Sequence, residues 1–466
     1  MENEARPLPS PGRPGPGAAD PVTGAGRAGA RSNGLAALAG SMAVLILAGL
    51  LGCVLAFGAK EACRAGAWNV GVEQYQAHCY TDIYPLYFAE GLSAGQVPYV
   101  GHHVEYPVLI GAAMEGAAWL VRPITDAAER GREFYDVTVA LLSIFLIAGV
   151  LGTAYCAGPA RRWTGLLVAL APALVLGAFI NWDLIAMALS VLALAAWAAR
   201  RPVLAGVLLG LAVATKFYPV ICLVPLFVLC LRAGRLGEFW RTAAGAAAAW
   251  LAVNLPVALA APSGWATFYT FNAQRGADWG SIWYFFEVEH WPVVGGLSLR
   301  SINLASALIF LAACAGVAAL ALAAPRRPRL PQLIFLLTAA FLLANKVWSP
   351  QYVVWLVPLV VLARPRLGAY LIWQAAEVGY FYAIWGYLIY VVSGSGTPGA
   401  VGTGLYFTAL LGRFAAVALL CALVVRDVLR PERDVVRAGD AADDPAGGPL
   451  DGAPDRVVLT LRRADA

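Results

Sequence analysis

The chain has 466 residues, of which 60% are hydrophobic and only 13% charged, and its mean hydropathy is +0.69. Soluble domains carry about 25% charged residues, so this composition excludes a soluble enzyme, a nucleic-acid-binding module and a disordered scaffold. The net charge of +5 is spread over short loops without a cluster of the kind that binds nucleic acid. Recurrent apolar runs predict an all-α, multi-pass integral membrane protein.

Polar tails are predicted at both ends of the chain. Residues 1–34 are rich in Pro, Gly, Ala and Arg and predict a disordered cytoplasmic tail. The first apolar stretch begins near Leu35 and is too long for the core of a signal peptide. Residues 426–466 mix acids, Arg, Pro and Gly, and predict a second disordered cytoplasmic tail. Residues 35–425 between them are the predicted transmembrane domain.

This domain contains twelve apolar segments, near 35–57, 137–157, 164–180, 184–199, 203–215, 217–231, 242–260, 301–324, 331–344, 351–362, 367–391 and 404–424. Several are shorter than the roughly 20 residues that cross a bilayer, so either their flanks contribute or the helices are broken. A loop with arginine follows every second segment, at Arg161/Arg162, Arg200/Arg201, 232–241, 326–329, Arg364/Arg366 and from Arg426. The positive-inside rule places these loops and both termini in the cytoplasm.

The apolar stretch 106–121 does not fit this alternation. It has 16 residues with Glu115 in the middle, and counting it as a span would move every later arginine loop to the outside. We therefore expect a helix that lies on or dips into the outer face. Two external loops follow, about 58–136 and 261–300, and the second is dense in Trp, Tyr and Phe, which favour the membrane interface. Cys63 and Cys79 both fall in the first loop, where a disulfide can persist, and their pairing is left open.

The first external loop carries the most prominent lone acid. Asp82 is surrounded by Tyr80, Tyr84 and Tyr87, a composition suited to a polar ligand at an interface, although an acid here could equally cap a helix or be solvated. Further along, His102 and His103 precede Glu105. This spacing matches no strong zinc motif, and Glu105 could simply cap the helix that follows.

Three later stretches also lie on the predicted outer face. Asp183 follows Asn181 at a turn, and Lys216 could either pair with it or bind an anion such as phosphate. Lys346 precedes a polar run whose other candidates for substrate binding are Ser349, Gln351 and Tyr352. Arg275 in the aromatic loop is a further cation. The chain has three lysines in all, Lys60, Lys216 and Lys346, among 33 basic residues, so each is notable.

The common location of these candidate residues on the predicted outer face is more informative than the residue spacing within any one motif. A lone acid, several cations and many aromatics meet on one face once the arginines set the orientation. Such a set suits an anionic, lipid-linked sugar, with cations for the phosphate, aromatic faces for the lipid or sugar, and a carboxylate as base.

Together these motifs resemble glycosyltransferase family 87 of the GT-C superfamily, which includes polyprenol-phosphate-mannose-dependent mannosyltransferases of actinobacteria. The resemblance spans roughly residues 35–425 and rests on an ordered set: Tyr80-Thr-Asp82, Pro98-Tyr99, Glu105-Tyr-Pro107, Asn181-Trp-Asp183, Thr215-Lys216-Phe-Tyr-Pro219 and Trp348-Ser-Pro-Gln-Tyr352. Around 345–352 the chain departs from the family's mannosyltransferases, which are richer in His and Trp there. That leaves the sugar and the acceptor open.

The resemblance implies a GT-C-like helix bundle with surface helices in the first external loop. It implies an inverting transfer of a sugar, often mannose, from a polyprenyl phosphate to a glycolipid or glycan outside the cytoplasm. Asp82 matches the base, while Lys216, Lys346 and Arg275 are the candidates for the donor phosphate. On this resemblance a metal is not expected, because the donor is already activated and an Asp-x-Asp clamp is absent at Asp82.

Two other functions remain open at this stage. A transporter or lipid flippase would carry inverted repeats and polar groups at mid-membrane, of which Glu115 and Glu377 are the main examples here. A non-catalytic partner in envelope synthesis is the third hypothesis. Sequence alone favours the transferase because its polar groups cluster at segment ends on one side.

Overall fold

The computed structural model describes residues 22–437 and 444–459, with side chains from residue 40 onward except at residue 67. All regular secondary structure in this part of the chain is helical, apart from an isolated bridge between Pro98 and His102. The described residues up to 44 and those from 45 onward belong to separate compact units. Of the predicted N-terminal tail 1–34, residues 1–21 lie outside the described residues, and 22–34 belong to the first helix.

A region of short helices separates two long ones in the first third of the chain. The helices are α1 (Val22–Gly58), α2 (Glu61–Arg64), α3 (Glu73–Gln76), α4 (Ile83–Ala89), α5 (Val108–Val121) and α6 (Ala127–Ala157), with 3₁₀ turns at Ala67–Asn69 and Leu92–Ala94. Asp126 caps α6 by accepting a hydrogen bond from the Glu129 backbone N–H at 2.7 Å. The short-helix region falls within the predicted loop 58–136, whose last ten residues belong to α6, and a bidentate pair joins Arg64 to Asp136. That this loop is external stays a prediction.

The middle of the chain contains α7 (Gly165–Ala169), α8 (Pro172–Gly177), α9 (Asp183–Ala198), α10 (Pro202–Thr215), α11 (Leu223–Arg232) and α12 (Leu236–Ala260), with 3₁₀ turns at Pro159–Thr164 and Tyr218–Cys222. The predicted continuous segment 164–180 is therefore two short helices. The break falls just before Pro172, which lacks the N–H needed to continue a helix but is well suited to begin one.

The last part contains α13 (Pro262–Gln274), α14 (Ile282–Val288), α15 (Leu299–Ala323), α16 (Leu330–Ala344), α17 (Val353–Ala363), α18 (Leu367–Ser393) and α19 (Thr403–Leu429), with 3₁₀ turns at Val294–Gly296, Pro350–Tyr352, Pro431–Arg433 and Gly448–Leu450. The predicted loop 261–300 is thus mostly helical. It contacts the first loop at Gly264, where an added Cβ would lie 2.0 Å from the Tyr99 carbonyl oxygen.

Six of the described helices are long and apolar enough to cross a membrane: α1 from Gly40, α6, α12, α15, α18 and α19. A 25-residue helix is about 38 Å long, against about 30 Å of bilayer hydrocarbon. Leu304, Leu308 and Leu311 on α15 are more than half exposed, as expected for side chains that face lipid. The chain is therefore a multi-pass membrane protein, and the full count of about 12 spans stays a prediction.

The shorter apolar helices form the centre of the unit. All residues of α17 are buried, and so are most of α9 and α16, which explains why these segments are apolar on every face. Helix α5 covers most of the stretch 106–121, and at 14 residues it is about 21 Å long. It packs on α6 and α10, and its Glu115 pairs with Arg122. That it lies on the outer face stays a prediction.

The predicted cytoplasmic arginines do gather at one end of the unit, which we call the arginine end. Their partners lie in residues 427–455, with ion pairs from Arg200 to Asp451, Arg232 and Arg327 to Asp455, Arg329 to Asp434 and Arg364 to Asp427, and hydrogen bonds from Arg161 and Arg366 to backbone carbonyls. These arginines come from five different loops, and that this end faces the cytoplasm stays a prediction.

The same contacts correct the expectation of a disordered C-terminal tail for its described part. Asp434, Val436, Ala446 and Leu450 are buried against the helices. Acids of this segment pair with the loop arginines. They give the segment the polar composition that is typical of a disordered tail, although its described residues pack on the helices. Residues 438–443 and 460–466 of that tail lie outside the described residues.

Candidate active site

A cavity of about 780 Å³ opens at the other end of the helices, which we call the cavity end. Helix α9 runs from one end to the other. Asp183 at its start lies close behind the cavity, whereas Trp197 near its last residue donates to the carbonyl of Gly447 at 3.1 Å, in the C-terminal segment at the arginine end. The predicted residues that line the cavity are Tyr80, Asp82, Glu105, Lys216, Arg275, Lys346, Ser349, Gln351 and Tyr352. Most of the outer-face candidates from separate motifs therefore share one chamber.

Asp82 lies at the start of α4 but does not cap it. Its backbone N–H donates to the Ile180 carbonyl at 2.8 Å. Its Oδ1 accepts from the Tyr80 hydroxyl at 2.6 Å, and its Oδ2 accepts from Asn181 Nδ2 at 2.9 Å. Burial raises the pKa of Asp82, while the hydrogen bonds from Tyr80 and Asn181 and the charge of Lys216 act against that rise. The result is a carboxylate held in a fixed orientation and more basic than a solvated one.

A chain of contacts connects Asp82 to Lys216. Asn181 Nδ2 also donates to the Tyr106 hydroxyl at 2.8 Å, and the Lys216 ammonium lies over the Tyr106 ring at 5.0 Å from its centre. Lys216 is 3.5 Å from Asp183 Oδ1, so the pairing that the sequence left open does exist. That distance is long for a charge-assisted hydrogen bond, and Lys216 also lines the cavity.

A second polar group comes from the 261–300 loop and the 345–352 turn. Lys346 Nζ donates to the Ala273 carbonyl at 3.2 Å, and Arg275 lies 3.5 Å from Asp278. Asp278 accepts from the Ser349 hydroxyl at 3.1 Å. Burial lowers the pKa of Lys346, and the nearby charge of Arg275 lowers it further. The two cations therefore concentrate positive potential on this wall.

Glu105 also lines the cavity and interacts electrostatically with both cation groups. Burial raises its pKa, while the charges of Arg275 and, more weakly, Lys216 oppose that rise and the charge of Asp82 adds to it. Glu105 is therefore a second acid in the chamber, separate from the hydrogen-bonded Asp82.

The family model of glycosyltransferase family 87 matches residues 116–350, about half of the 466 residues. The chain belongs to this family. No curated protein sequence matches the chain. The matched part of this glycosyltransferase includes Lys216, Arg275, Lys346 and Ser349, whereas Asp82 and Glu105 precede it. Membership makes the chain a membrane transferase that takes a sugar donor and an acceptor.

Five predicted residues of the glycosyltransferase do not line the cavity. Tyr84 stacks on Trp68 at 4.7 Å between ring centres, and Tyr87 packs on Phe134 at 4.7 Å. Both tyrosines are buried, since α4 turns them away from Asp82. The structure therefore does not bring them together with the cavity residues, and their contact with substrate stays a prediction.

The two adjacent histidines have different partners. His102 lies 3.5 Å from Glu90, and His103 lies 3.5 Å from the Ser263 hydroxyl. No group of three His, Cys, Asp or Glu side chains that could hold a metal occurs in the part of the chain that the structure describes. Asp183 is buried behind the cavity wall, where its Oδ1 accepts a hydrogen bond from Trp355 Nε1 at 2.8 Å. From there it contacts Lys216 rather than the cavity.

The structure joins Cys63 and Cys79 in a disulfide, with 5.6 Å between their Cα atoms. The bond closes the loop that immediately precedes Tyr80. It thus tethers the segment that carries Tyr80 and Asp82 to α2.

Several contributors to the glycosyltransferase site were not assigned from sequence. Lys60 is buried, and its ammonium donates to the Tyr80 carbonyl at 2.8 Å. Asp278 anchors Ser349 as described above. Each is a single polar residue in an otherwise ordinary loop. Lys60 could have been suspected from the rarity of lysine in this chain, but nothing in the sequence distinguishes Asp278.

A buried ion pair supports the 345–352 turn from behind. Arg413 on α19 pairs with Glu377 on α18 at 2.8 Å and donates to the Trp348 carbonyl at 3.1 Å. Its guanidinium lies over the rings of Trp348 and Tyr380, at 4.0 and 4.3 Å. Glu377, the intramembrane acid that raised the transporter hypothesis, therefore has a structural partner.

Proposed function

We propose that this family 87 enzyme transfers a sugar, with mannose the expected one, from a polyprenyl phosphate to a hydroxyl of a glycolipid or glycan, with inversion at the anomeric carbon. The observation that carries the proposal is the chamber itself. It combines one oriented carboxylate, Asp82, with three cations, Lys216, Lys346 and Arg275.

In the proposed step Asp82 accepts the proton of the acceptor hydroxyl as that oxygen forms a bond to the anomeric carbon. The bond from that carbon to the phosphate oxygen breaks at the same time, and its electron pair leaves with the polyprenyl phosphate. The hydrogen bonds from Tyr80 and Asn181 hold the carboxylate in place, and a base is most effective when its pKa approaches the working pH. Its raised pKa supports this role.

The departing phosphate gains negative charge, so fixed cations near it stabilise the transition state. Lys346 and Arg275 share one wall, and Lys216 lies near Asp82. Ser349, Gln351 and Tyr352 from the same turn are the proposed polar and aromatic contacts to the sugar phosphate. Glu105 is a further proposed substrate contact, since it lines the cavity and interacts electrostatically with Arg275 and Lys216.

The lipid part of the donor needs an apolar surface next to the phosphate site. Helix α13 supplies Phe268, Tyr269 and Phe271 to the cavity lining, and the last two are about one-third exposed. Aromatic residues favour the membrane interface. We place the polyprenyl chain along this helix.

The proposed topology has the arginine end in the cytoplasm and the cavity end outside. The positive-inside rule supports it, because the loop arginines gather at one end. The localisation is then the plasma membrane, with both termini cytoplasmic.

The test is a transfer assay on purified, detergent-solubilised protein with a panel of radiolabelled polyprenyl-phosphate sugars and a membrane-lipid extract as acceptor. We expect one donor, most simply the mannosyl one, to give a labelled lipid product. Asp451→Asn, at the exposed Arg200 pair of the arginine end, is the control variant that should retain transfer. Failure with every donor, together with lipid translocation by the protein in liposomes, would favour the flippase instead.

A further inference from the structure

The charged side chains that line the cavity are balanced in sign. The described lining contains three cations and three acids, namely Lys216, Arg275, Lys346, Asp82, Glu105 and Asp278. The proposed transfer uses the cations for the phosphate, Asp82 as the base and Glu105 as a substrate contact, but it leaves Asp278 without a direct role. A carboxylate beside a phosphate site repels the anion that the site binds. The presence of Asp278 on the wall of Arg275 and Lys346 therefore calls for an explanation.

Asp278 is held firmly at the turn between α13 and α14. Its Oδ2 accepts from the Ser349 hydroxyl at 3.1 Å, and its Oδ1 accepts from the Trp279 backbone N–H at 3.1 Å. Its own backbone N–H donates to the Lys346 carbonyl at 2.8 Å, and its carbonyl accepts from the Ser281 hydroxyl at 2.8 Å. The side chain is 10% exposed. A carboxylate with these partners stays in place when an anion enters the cavity.

Arg275 is the less constrained partner. It directly follows α13 with an extended backbone conformation, and its side chain is 35% exposed. Its guanidinium lies 3.5 Å from Asp278 Oδ1, which is long for a charge-assisted hydrogen bond, and 6.0 Å from the centre of the Phe271 ring. The guanidinium can thus exchange Asp278 for a phosphate without breaking a short hydrogen bond to the carboxylate.

The proposed transfer increases the negative charge on the phosphate. The donor is a phosphodiester with a single negative charge, and the acceptor's proton goes to Asp82. When the bond to the anomeric carbon breaks, the phosphate oxygen keeps the electron pair. The product is then a phosphate monoester, which carries a charge of about −1.5 to −2 at pH 7. Cations that stabilise this charge as it develops also retain the product, and product release limits the rate of many enzymes.

We propose that Asp278 is a positioning residue that acts through Arg275. Its carboxylate competes with the phosphate for the guanidinium and thereby limits the affinity of the chamber for the polyprenyl phosphate product. Arg275 leaves Asp278 as the charge on the phosphate develops, and it returns to Asp278 as the product departs. This inference rests on the proposed function and adds to it the release of the spent lipid phosphate.

The test measures binding of farnesyl phosphate, a short isoprenyl monophosphate, to the purified protein by calorimetry. Asp278→Asn keeps the shape of the side chain and an oxygen for Ser349 but removes the charge. We expect its Kd for farnesyl phosphate to fall about tenfold, because a like charge beside the phosphate is gone. Asp278→Glu keeps the charge and should gain no affinity. Asp451→Asn removes an acid at the arginine end and is the matched control, which should bind like the parent protein.

A double variant tests whether Asp278 acts through Arg275. Arg275→Met/Asp278→Asn should bind farnesyl phosphate no more tightly than Arg275→Met, since the cation that the carboxylate competes for is absent. In the transfer assay, Asp278→Asn should be inhibited by farnesyl phosphate at about one-tenth of the concentration that inhibits the parent enzyme, by the same charge argument. The rate of a single turnover should not fall, because the step before release does not need the carboxylate.

Unchanged or weaker binding in Asp278→Asn overturns the proposal, and so does an equal gain of affinity in the presence and absence of Arg275. If Asp278→Asn does not fold, a structure of the parent protein with farnesyl phosphate decides. A guanidinium on the phosphate and away from Asp278 supports the proposal, whereas Arg275 still beside Asp278 overturns it.

The same measurements separate this inference from the proposed transfer. Tighter binding in Asp278→Asn, together with failure of every sugar donor, supports the competition at the phosphate site and contradicts the transfer. No binding of farnesyl phosphate to the parent protein overturns the competition even where a sugar is transferred.

Discussion

The two ends of the molecule use positive charge in opposite ways. At the arginine end Arg329 pairs with Asp434 at 2.8 Å and also donates to the Leu362 and Ala363 carbonyls. At the cavity end the contacts of Lys216 and Arg275 with carboxylates are both 3.5 Å. Removing one partner of a buried ion pair destabilises the fold because it leaves an uncompensated charge, whereas loosely held cations around a cavity retain the capacity to bind an anion. Substitutions at the two ends should therefore separate stability from activity.

The largest effect should come from Asp82→Asn. Asparagine keeps the size of the side chain but cannot accept the acceptor's proton, so the transfer rate should fall about 10³-fold. The melting temperature should change little, because Asp82 is not a partner in a tight ion pair. Initial rates with the active donor measure this effect. A variant with the parental rate would contradict the proposed base.

The pH profile of the parent enzyme tests the same residue. Burial raises the pKa of Asp82, and the base must be deprotonated to act. The rate should therefore decline as the pH falls through that raised pKa, at a midpoint above the range of a solvated aspartate. An acidic limb at the ordinary aspartate value would indicate a different base.

The second largest effect is expected at the arginine end, from Arg329→Ala. Removing the guanidinium leaves Asp434 buried without its partner, which should cost about 3 kcal/mol of unfolding free energy. Thermal unfolding in detergent measures the loss. The double variant Arg329→Ala/Asp434→Asn is the matched control and should recover part of it, since it removes the orphaned charge. Loss of transfer without loss of stability would contradict the division between the two ends.

Lys60 is a buried cation at the cavity end and should respond to pH in a characteristic direction. Burial lowers its pKa from 10.5 to about 7, against the attraction of Asp82. The unfolded chain then binds more protons than the native one between these values, so stability rises as the pH rises through this window. From pH 7 to pH 9 the gain should be about 2 kcal/mol.

The matched variant is Lys60→Met, which keeps the length of the side chain but cannot titrate. Melting temperatures at pH 7, 8 and 9 should rise in the parent protein and stay flatter in the variant. An identical pH dependence in both proteins would show that Lys60 is solvated and fully charged.

A smaller effect, confined to binding, is expected from Lys346→Met. The Lys346 ammonium contacts the Ala273 carbonyl at 3.2 Å and faces the cavity. Its loss should raise the donor KM about tenfold, the equivalent of one charge-assisted contact, without lowering the melting temperature. Lys346→Arg keeps the charge and should have an intermediate KM. A lower melting temperature with an unchanged KM would mean that Lys346 is structural, like Arg329.

The sequence predicted the composition of the cavity better than its geometry. Asp82, Lys216 and Lys346 lie in different motifs, and they were grouped only because the arginine loops set the orientation of every segment. Side-chain direction within irregular loops has no comparable signal. Tyr84 and Tyr87 are two and five residues from Asp82 yet face the core, and His102 and His103 are adjacent yet contact different partners.

The errors in the fold have related causes. The run 164–180 is apolar throughout, but Pro172 divides it into α7 and α8, and hydropathy does not register that break. Residues 431–437 and 444–459 were predicted as part of a tail because they are polar. Acids of these residues pair with loop arginines that lie far away in sequence, a tertiary pairing that local composition cannot predict.

The smallest effect on the free energy of unfolding is expected for an exposed ion pair. It tests whether the stability of the arginine end depends on every ion pair or only on the buried ones. Arg200 and Asp451 are 3.3 Å apart but 64% and 47% exposed, and such exposed pairs contribute little. Arg200→Ala should therefore change the unfolding free energy by less than about 0.5 kcal/mol. Arg200 also has a φ of 60°, where glycine is less strained than any residue with a Cβ. Arg200→Gly should consequently be at least as stable as Arg200→Ala in the same unfolding assay. If either variant loses as much stability as Arg329→Ala, the exposed pairs are part of the structural network, and burial is not what separates strong from weak contacts at this end.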